Sequence, residues 1–188
     1  MTAKSISGIR SNDVAEGHPA EGEEVGSIMN RLLLTLLLLF GTCTVAVADD
    51  LNDGIAAYRS NDYATGFAKF TKAAEAGNAD AQAVVGAMYD DGEGVPQDYG
   101  QAVRWYTKAA EAGNADAQGR LASMYAVGHG VPQDFVQAYK WFNIAASTET
   151  DKEERDRSVR NRDLVSGKMT PNQIAEAQRL AREWKPKR

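Results

Sequence analysis

A ten-residue block that occurs twice constrains this chain more than any other feature. Residues 73–82 return unchanged at 109–118, a displacement of 36 residues. The glycine-containing stretch at 92–98 likewise reappears at 128–134 with one substitution. A fixed period of this length is typical of stacked copies of one supersecondary unit, none of which buries its apolar face alone. The period therefore predicts a repeat architecture, which favours a binding surface over a catalytic pocket.

Each copy carries the start and stop signals of two helices. In the first copy, Asn78 and Asp98 are predicted helix N-caps, and Gly92 ends the first helix. The apolar residues between these signals recur at helical spacing, so each helix has one face to bury. On the second helix that face contains Trp105 or the residue that follows it. We expect the tryptophans of the two copies, Trp105 and Trp141, to supply much of the buried area.

The segment before the repeats predicts export. Arg31 is followed by the apolar run 32–40, interrupted only by Thr35, and then by small residues in an Ala-x-Ala pattern. This order is typical of a secretory signal peptide cleaved before Asp49, which predicts a periplasmic or secreted protein. The run is shorter than the ~18–20 apolar residues of a transmembrane anchor. Cys43 is the only cysteine of the chain and fits a lipoprotein motif poorly, so the mature protein is predicted to contain none.

The start of translation has two interpretations. Signal peptides begin near the initiator, so Met29 is the predicted start and residues 1–28 an over-extended, disordered leader. A genuine long leader that begins at Met1 is the alternative. The predicted organisation from the N-terminus is an extension at 1–28, a signal peptide at 29–48, a short helix pair at 49–77, repeats at 78–113 and 114–149, and capping helices with a basic tail at 150–188.

The repeat motifs resemble those of the Sel1-like repeat family, a relative of the tetratricopeptide repeats. They are Leu/Val-Gly/Ala-x-x-Tyr at 85–89, Gly-x-Gly-Val-x-x-Asp at 92–98 and Ala-x-x-Trp-Tyr/Phe-x-x-Ala-Ala at 102–110. The chain is similar to the exported bacterial members of that family. This resemblance implies an all-α solenoid of antiparallel helix pairs and an adaptor or scaffold role. The second copy departs at Ala122, where Gly is usual. A final helix that starts with the cap Thr170 is expected to close the stack as a C-terminal capping helix.

A binding groove follows from the analogy with tetratricopeptide stacks, in which the first helices of the pairs line the concave side. The positions there that lie outside the packing stripe are Asp80, Ala83, Ala87, Asp90, Asp116, Gly119, Ser123 and Ala126. These residues are small or acidic, so the groove would accept an extended or helical peptide or protein segment that carries basic groups. The alternative is that these positions are solvated and bind nothing.

Charge is unevenly distributed along the predicted mature chain. Residues 49–150 hold 7 Lys/Arg against 14 Asp/Glu, whereas residues 151–188 hold 11 against 7. The basic C-terminal segment predicts a weak contact with anionic envelope surfaces, and a merely solvated helix face is the alternative. Nucleic acid is excluded as a partner because the chain is acidic overall and lacks interleaved aromatic and basic residues.

The residues that would carry catalysis or metal binding are missing. His129 is the only histidine of the predicted mature chain, with no second histidine or cysteine to complete a metal site. No cofactor is implied, and no Ser-x-x-Lys motif occurs. The sequence therefore predicts a scaffold or adaptor without enzymatic activity. One alternative is a binder of envelope polymer, peptidoglycan or polysaccharide. The last is a β-lactamase-like hydrolase, an activity linked to cysteine-rich relatives whose cysteines this mature chain lacks.

Overall fold

The computed structural model describes residues 49–187, and every regular element in that range is an α-helix. Helix α1 occupies 49–59 and is followed by seven more. These are α2 Tyr63–Glu75, α3 Ala79–Asp91, α4 Tyr99–Ala112, α5 Ala115–Val127, α6 Phe135–Thr148, α7 Lys152–Ser166 and α8 Pro171–Glu183. The all-α prediction is confirmed. The predictions for the extension at 1–28, the signal peptide at 29–48 and the translation start lie outside the described residues.

Helix bounds follow the local signals of the sequence. The Asn78 and Asn114 side chains each accept a hydrogen bond at 2.8 Å from the backbone N–H three residues on, which starts α3 and α5. Both helices end at glycines in the left-handed conformation, Gly92 at φ 75° and Gly128 at φ 81°. The predicted cap Thr170 starts α8 and forms a reciprocal capping box with Gln173. Because these signals act within a few residues, they could be recognised without knowledge of the fold.

Consecutive helices pack against each other from α2 to α7, so the helix pairs form a continuous stack. A buried glutamine joins each pair to the one before it. Gln82 of α3 donates its Nε2 to the Ala74 carbonyl of α2 at 3.0 Å, and Gln118 of α5 donates to the Ala110 carbonyl of α4 at 3.2 Å. Each carbonyl lies in the last turn of the preceding helix and also accepts the N–H of the glycine three residues on, so the glutamine adds a second donor from the next pair.

Within a pair, a small residue of the first helix lies against an aromatic ring of the second. A Cβ on Gly86 would stand 2.7 Å from the Tyr106 ring, and one on Gly54 would stand 2.8 Å from the Phe70 ring. Only a residue without a side chain allows this close approach. Since Gly54 precedes its ring by 16 residues and Gly86 precedes its own by 20, α1 and α2 form the same pair with a connection four residues shorter. The connection at 60–62 accordingly lacks the glycine loop that the repeats carry at 92–98 and 128–134.

Helix α8 lies against α6 and closes the stack. Its Trp184 meets Trp141 edge-on with ring centroids 5.9 Å apart, and its Gln178 Nε2 donates to the Tyr139 hydroxyl at 3.2 Å. Beyond α8, the Lys187 backbone N–H donates to the Glu111 carbonyl at 2.8 Å. The chain end therefore crosses from α6 to the end of α4. None of the helices within 49–187 is long and apolar enough to cross a membrane.

The expectation that both tryptophans supply buried area is wrong for Trp105. Trp141 is 4% exposed because Trp184 covers it, and Tyr106 is completely buried. Trp105 is only half-buried, and the Lys108 ammonium lies over its ring at 4.1 Å from the centroid. The two positions share their sequence motif, but α8 lies along α6 and gives α4 no equivalent cover.

Candidate binding groove

The first helices of the three pairs, α1, α3 and α5, form one face of the stack together with α7, and we call this face the first-helix face. Three hollows lie along it, of about 380, 400 and 250 Å³, and we call them the N-terminal, central and C-terminal hollows. In the first two hollows, small residues of one helix form the floor, and side chains of the neighbouring helices form the walls.

The N-terminal hollow is mainly apolar. Ala83 and Ala87 of α3 form its floor. Ile55 and Tyr58 of α1 stand on one side, and Arg120 of α5 stands on the other. The Tyr58 hydroxyl donates a hydrogen bond to a carboxylate oxygen of Glu93, in the loop after α3. This bond raises the pKa of Tyr58 to about 12. The rim of the hollow is thereby tied to the first glycine loop.

The central hollow is polar and charged. Gly119 and Ser123 of α5 form its floor, the end of α3 contributes Asp90, and α7 supplies the opposite wall. Two ion pairs lie in it. Arg120 pairs with Asp116 at 3.0 Å, and Arg157 of α7 pairs with Glu154 of the same helix. His129 also faces this hollow, and its ring stacks on Tyr99 with centroids 4.9 Å apart.

Asp90 stands apart from these pairs in its electrostatics. No cation lies within ion-pair distance of its carboxylate among residues 49–187. Burial, followed by the charge of Asp91, raises the pKa of Asp90 above its usual range, although Arg120, His129 and a hydrogen bond with Tyr106 oppose the shift. The fully buried Tyr106 has its hydroxyl close to both Asp90 and Arg120, and burial raises the pKa of that phenol as well.

The C-terminal hollow is again mainly apolar. It lies between the end of α5, which contributes Ala126 and Val127, and the middle of α7, which contributes Leu164. The ring of Phe135 also lines it, with the Lys168 ammonium 5.4 Å from the ring centroid. Adjacent hollows share lining residues, so the three hollows form one continuous groove.

The large apolar side chains that remain exposed are concentrated in this groove. Within 49–187 there are four of them: Ile55 at 36%, Tyr58 at 37%, Val127 at 59% and Leu164 at 71% exposure. The first two line the N-terminal hollow and the last two line the C-terminal hollow. Single exposed apolar residues are common, whereas grouping along one groove is typical of an interaction surface.

A family model described as the Sel1 repeat matches residues 79–114 and 115–147. The chain carries two Sel1 repeats. Solved structures agree with this assignment. One is a protective antigen present in uropathogenic Escherichia coli strains and displaying an SLR fold, with 31% identity over 73% of this chain and a TM-score of 0.67. Another is a Sel1 repeat protein from Oxalobacter formigenes, with 28% identity over 62% of this chain and a TM-score of 0.50.

The chain spans 29% of the length of the antigen and 54% of the Oxalobacter formigenes protein. No curated protein matches it. Sel1 repeats generally mediate protein–protein interactions, and their fold is typically a non-enzymatic scaffold. Among residues 49–187, no three His, Cys, Asp or Glu side chains are grouped as a metal site would require.

Seven of the eight predicted groove residues line one or more of the three hollows. Ala83 and Ala87 lie in the N-terminal hollow, and Ala126 lies in the C-terminal one. The central hollow receives Asp90, Asp116, Gly119 and Ser123. Asp116 also borders the N-terminal hollow.

Two of the eight predicted residues have surroundings that differ from those of the others. Asp80 lines none of the three hollows, because its carboxylate accepts a hydrogen bond at 2.9 Å from Nδ2 of Asn114, the cap of α5. It therefore helps to join α3 to α5. Ala83 was expected outside the packing stripe but is only 7% exposed, since α1 and α5 rise on either side of it.

Sequence reasoning missed the apolar walls of the groove. Ile55 and Tyr58 belong to α1, which the repeat pattern covers only loosely. Leu164 lies in the charge-dense segment that becomes α7. The sequence does show one large apolar residue isolated among charged ones. Its role as a groove wall can be recognised only when α7 is placed beside α5.

Proposed function

We propose that this protein is an exported, non-enzymatic scaffold or adaptor that binds a peptide or protein segment along its first-helix face. The observation that supports this most directly is the position of the four exposed apolar side chains. All of them line the groove, where a bound segment would remove them from water at a gain of roughly 25 cal/mol per Å².

The architecture supports the same proposal. Repeat stacks commonly use the extended surface of their first helices for binding, and Sel1 repeats generally mediate protein–protein interactions. The groove crosses α1, α3, α5 and α7, so a segment several residues long could contact every pair. Periplasmic or secreted localisation is part of the proposal and is supported by the signal-like sequence at 29–48.

The test is capture of partners from an envelope extract on the immobilised full chain, compared with a groove variant. Ile55→Ser with Leu164→Ser removes one apolar wall at each end of the groove. Both side chains are exposed, so the fold should survive. We expect specific partners to be lost from this variant while circular dichroism remains unchanged.

The matched control changes exposed residues of other faces, Glu75→Gln with Arg104→Gln. Partners retained by the control and lost by the groove variant support the proposal. Equal capture by all three proteins would contradict it. If free peptidoglycan or polysaccharide competes for the same groove, the ligand is an envelope polymer instead.

A further inference from the structure

The hollows of the groove differ in chemistry in a definite order. The N-terminal and C-terminal hollows present exposed apolar side chains, Ile55 and Tyr58 at one end and Val127 and Leu164 at the other. The central hollow between them presents charged and polar groups. A ligand that lies along the whole groove therefore meets an apolar, a charged and then an apolar environment.

The charge of the central hollow is not balanced. Its four carboxylates belong to Asp90, Asp116, Glu149 and Glu154, and its two guanidinium groups belong to Arg120 and Arg157. The two arginines pair with Asp116 and Glu154. Asp90 and Glu149 remain without an ion pair among residues 49–187, which leaves the hollow with an excess of negative charge.

The surroundings of Asp90 make this excess of negative charge important for binding. Its carboxylate is partly desolvated and lies near the charge of Asp91, and these two effects raise its pKa despite the nearby Arg120, His129 and Tyr106 hydroxyl. A partly buried carboxylate without an ion partner is a costly arrangement that an incoming cation relieves. Apolar walls on both sides would exclude water from such a contact and strengthen it.

We infer that the groove binds an extended segment in which one Lys or Arg is flanked on each side by a large apolar residue, with the cation at Asp90. This inference rests on the proposed function and adds the chemistry of the ligand. The exposed apolar side chains lie on α1 at one end and on α5 and α7 at the other, two to three helix spacings apart, or roughly 16–30 Å for interaxial distances of 8–10 Å. An extended chain covers that distance in about five to nine residues, which sets the spacing of the apolar anchors.

The test is selection of random twelve-residue peptides displayed on phage against the full-length chain. We expect the enriched sequences to share two large apolar positions, about five to nine residues apart, with Lys or Arg between them. A synthetic peptide of the enriched sequence is then measured by fluorescence anisotropy, together with a version in which Glu replaces the basic residue. The acidic version should bind at least 10-fold more weakly.

Variants of the protein assign the contacts. Asp90→Asn should weaken the enriched peptide about 10-fold and reduce its preference over the Glu version to less than 3-fold. Leu164→Ser should weaken both peptides to a similar degree. Glu75→Gln, an exposed carboxylate of α2 outside the groove, should change neither affinity and is the matched charge control.

The outcomes separate this inference from the proposed function. Enriched peptides that bind in the groove but lack the basic centre, or do not respond to Asp90→Asn, overturn the inference and leave peptide binding intact. Peptides unaffected by the Ile55 and Leu164 variants bind elsewhere and overturn both. A selection that enriches nothing also counts against both.

Discussion

At the scale of single residues, glycine has two different roles on the first helices. Gly86 lets the Tyr106 ring approach, and an added Cβ would stand 2.7 Å from that ring. Gly119 occupies the groove floor, where an added Cβ would meet only the Ser158 hydroxyl at 3.8 Å. We expect Gly86→Ala to lower the free energy of unfolding by about 1 kcal/mol, because overpacking outweighs the gain in helix propensity.

Gly119→Ala is the control for that prediction. It should raise the free energy of unfolding by about 0.5–1 kcal/mol, since it gains helix propensity without a clash. Urea denaturation of both variants measures the two changes. Effects of the same sign at Gly86 and Gly119 would contradict the packing described for the Tyr106 ring.

The carboxyl group of Asp90 predicts a pH dependence of stability. Its pKa is raised in the folded protein, so the folded state binds the proton more tightly than the unfolded state does. The unfavourable contribution is therefore complete above the folded pKa and disappears as the pH falls below the unfolded pKa. We expect Asp90→Asn to raise the free energy of unfolding at pH 7 by no more than about 1 kcal/mol, because solvent screens the site.

The measurement is the stability difference between Asp90→Asn and the wild type at several pH values. It should shrink as the pH is lowered through the raised pKa of Asp90. A difference that stays constant or grows toward acid pH would show that the carboxylate is better compensated than its surroundings indicate.

At the scale of elements, the glycine loops set how one pair docks on the preceding pair. A Cβ on Gly130 would overlap the carbonyl oxygen of Tyr99 at the start of α4, and the backbone there is left-handed at φ 69°. Gly77 is also left-handed, at φ 95°, but an added Cβ would meet nothing within 4 Å. Alanine at either position would have a strained left-handed backbone. Only at Gly130 would its Cβ also collide with the neighbouring helix pair and force the two pairs apart.

We expect Gly77→Ala to cost about 1 kcal/mol of stability and Gly130→Ala at least about 1–2 kcal/mol more. Thermal and urea unfolding of the two variants provide the comparison. Equal losses would mean that the loop does not contribute to the docking of the pairs.

At the scale of the whole molecule, the stack depends on closure at its C-terminal end. Repeats contact mainly their neighbours, so the last pair exposes its apolar surface unless another element covers it. Trp184 at the end of α8 covers Trp141, and Ala177 of α8 is completely buried. Removal of residues 171–188 should therefore lower the free energy of unfolding by about 3–5 kcal/mol, the range for loss of a large buried side chain, and increase the binding of a hydrophobic dye.

A shorter truncation is the control for this prediction. Removal of 185–188 keeps α8 and Trp184 and loses the contact between Lys187 and Glu111. It should cost about 1 kcal/mol or less, because exposed ion pairs and single hydrogen bonds contribute little. If both truncations cost the same, α8 is not the element that closes the stack.

The repeat period, the helix caps and the all-α architecture could be predicted because their signals are local. An asparagine cap or a left-handed glycine acts within a few residues, and a 36-residue period is visible without coordinates. The small residues of the groove floor were also accessible, since they share a helical face. These features depend only on the order of residues along one or two helices.

Only the tertiary structure decided what surrounds those residues. It placed Asp80 on Asn114, buried Trp141 but not Trp105, and brought Ile55 and Leu164 to the two ends of one groove. The physical reason is that exposure, desolvation and charge balance depend on neighbours that are distant along the chain. The same motif is covered by α8 on one helix and faces water on another.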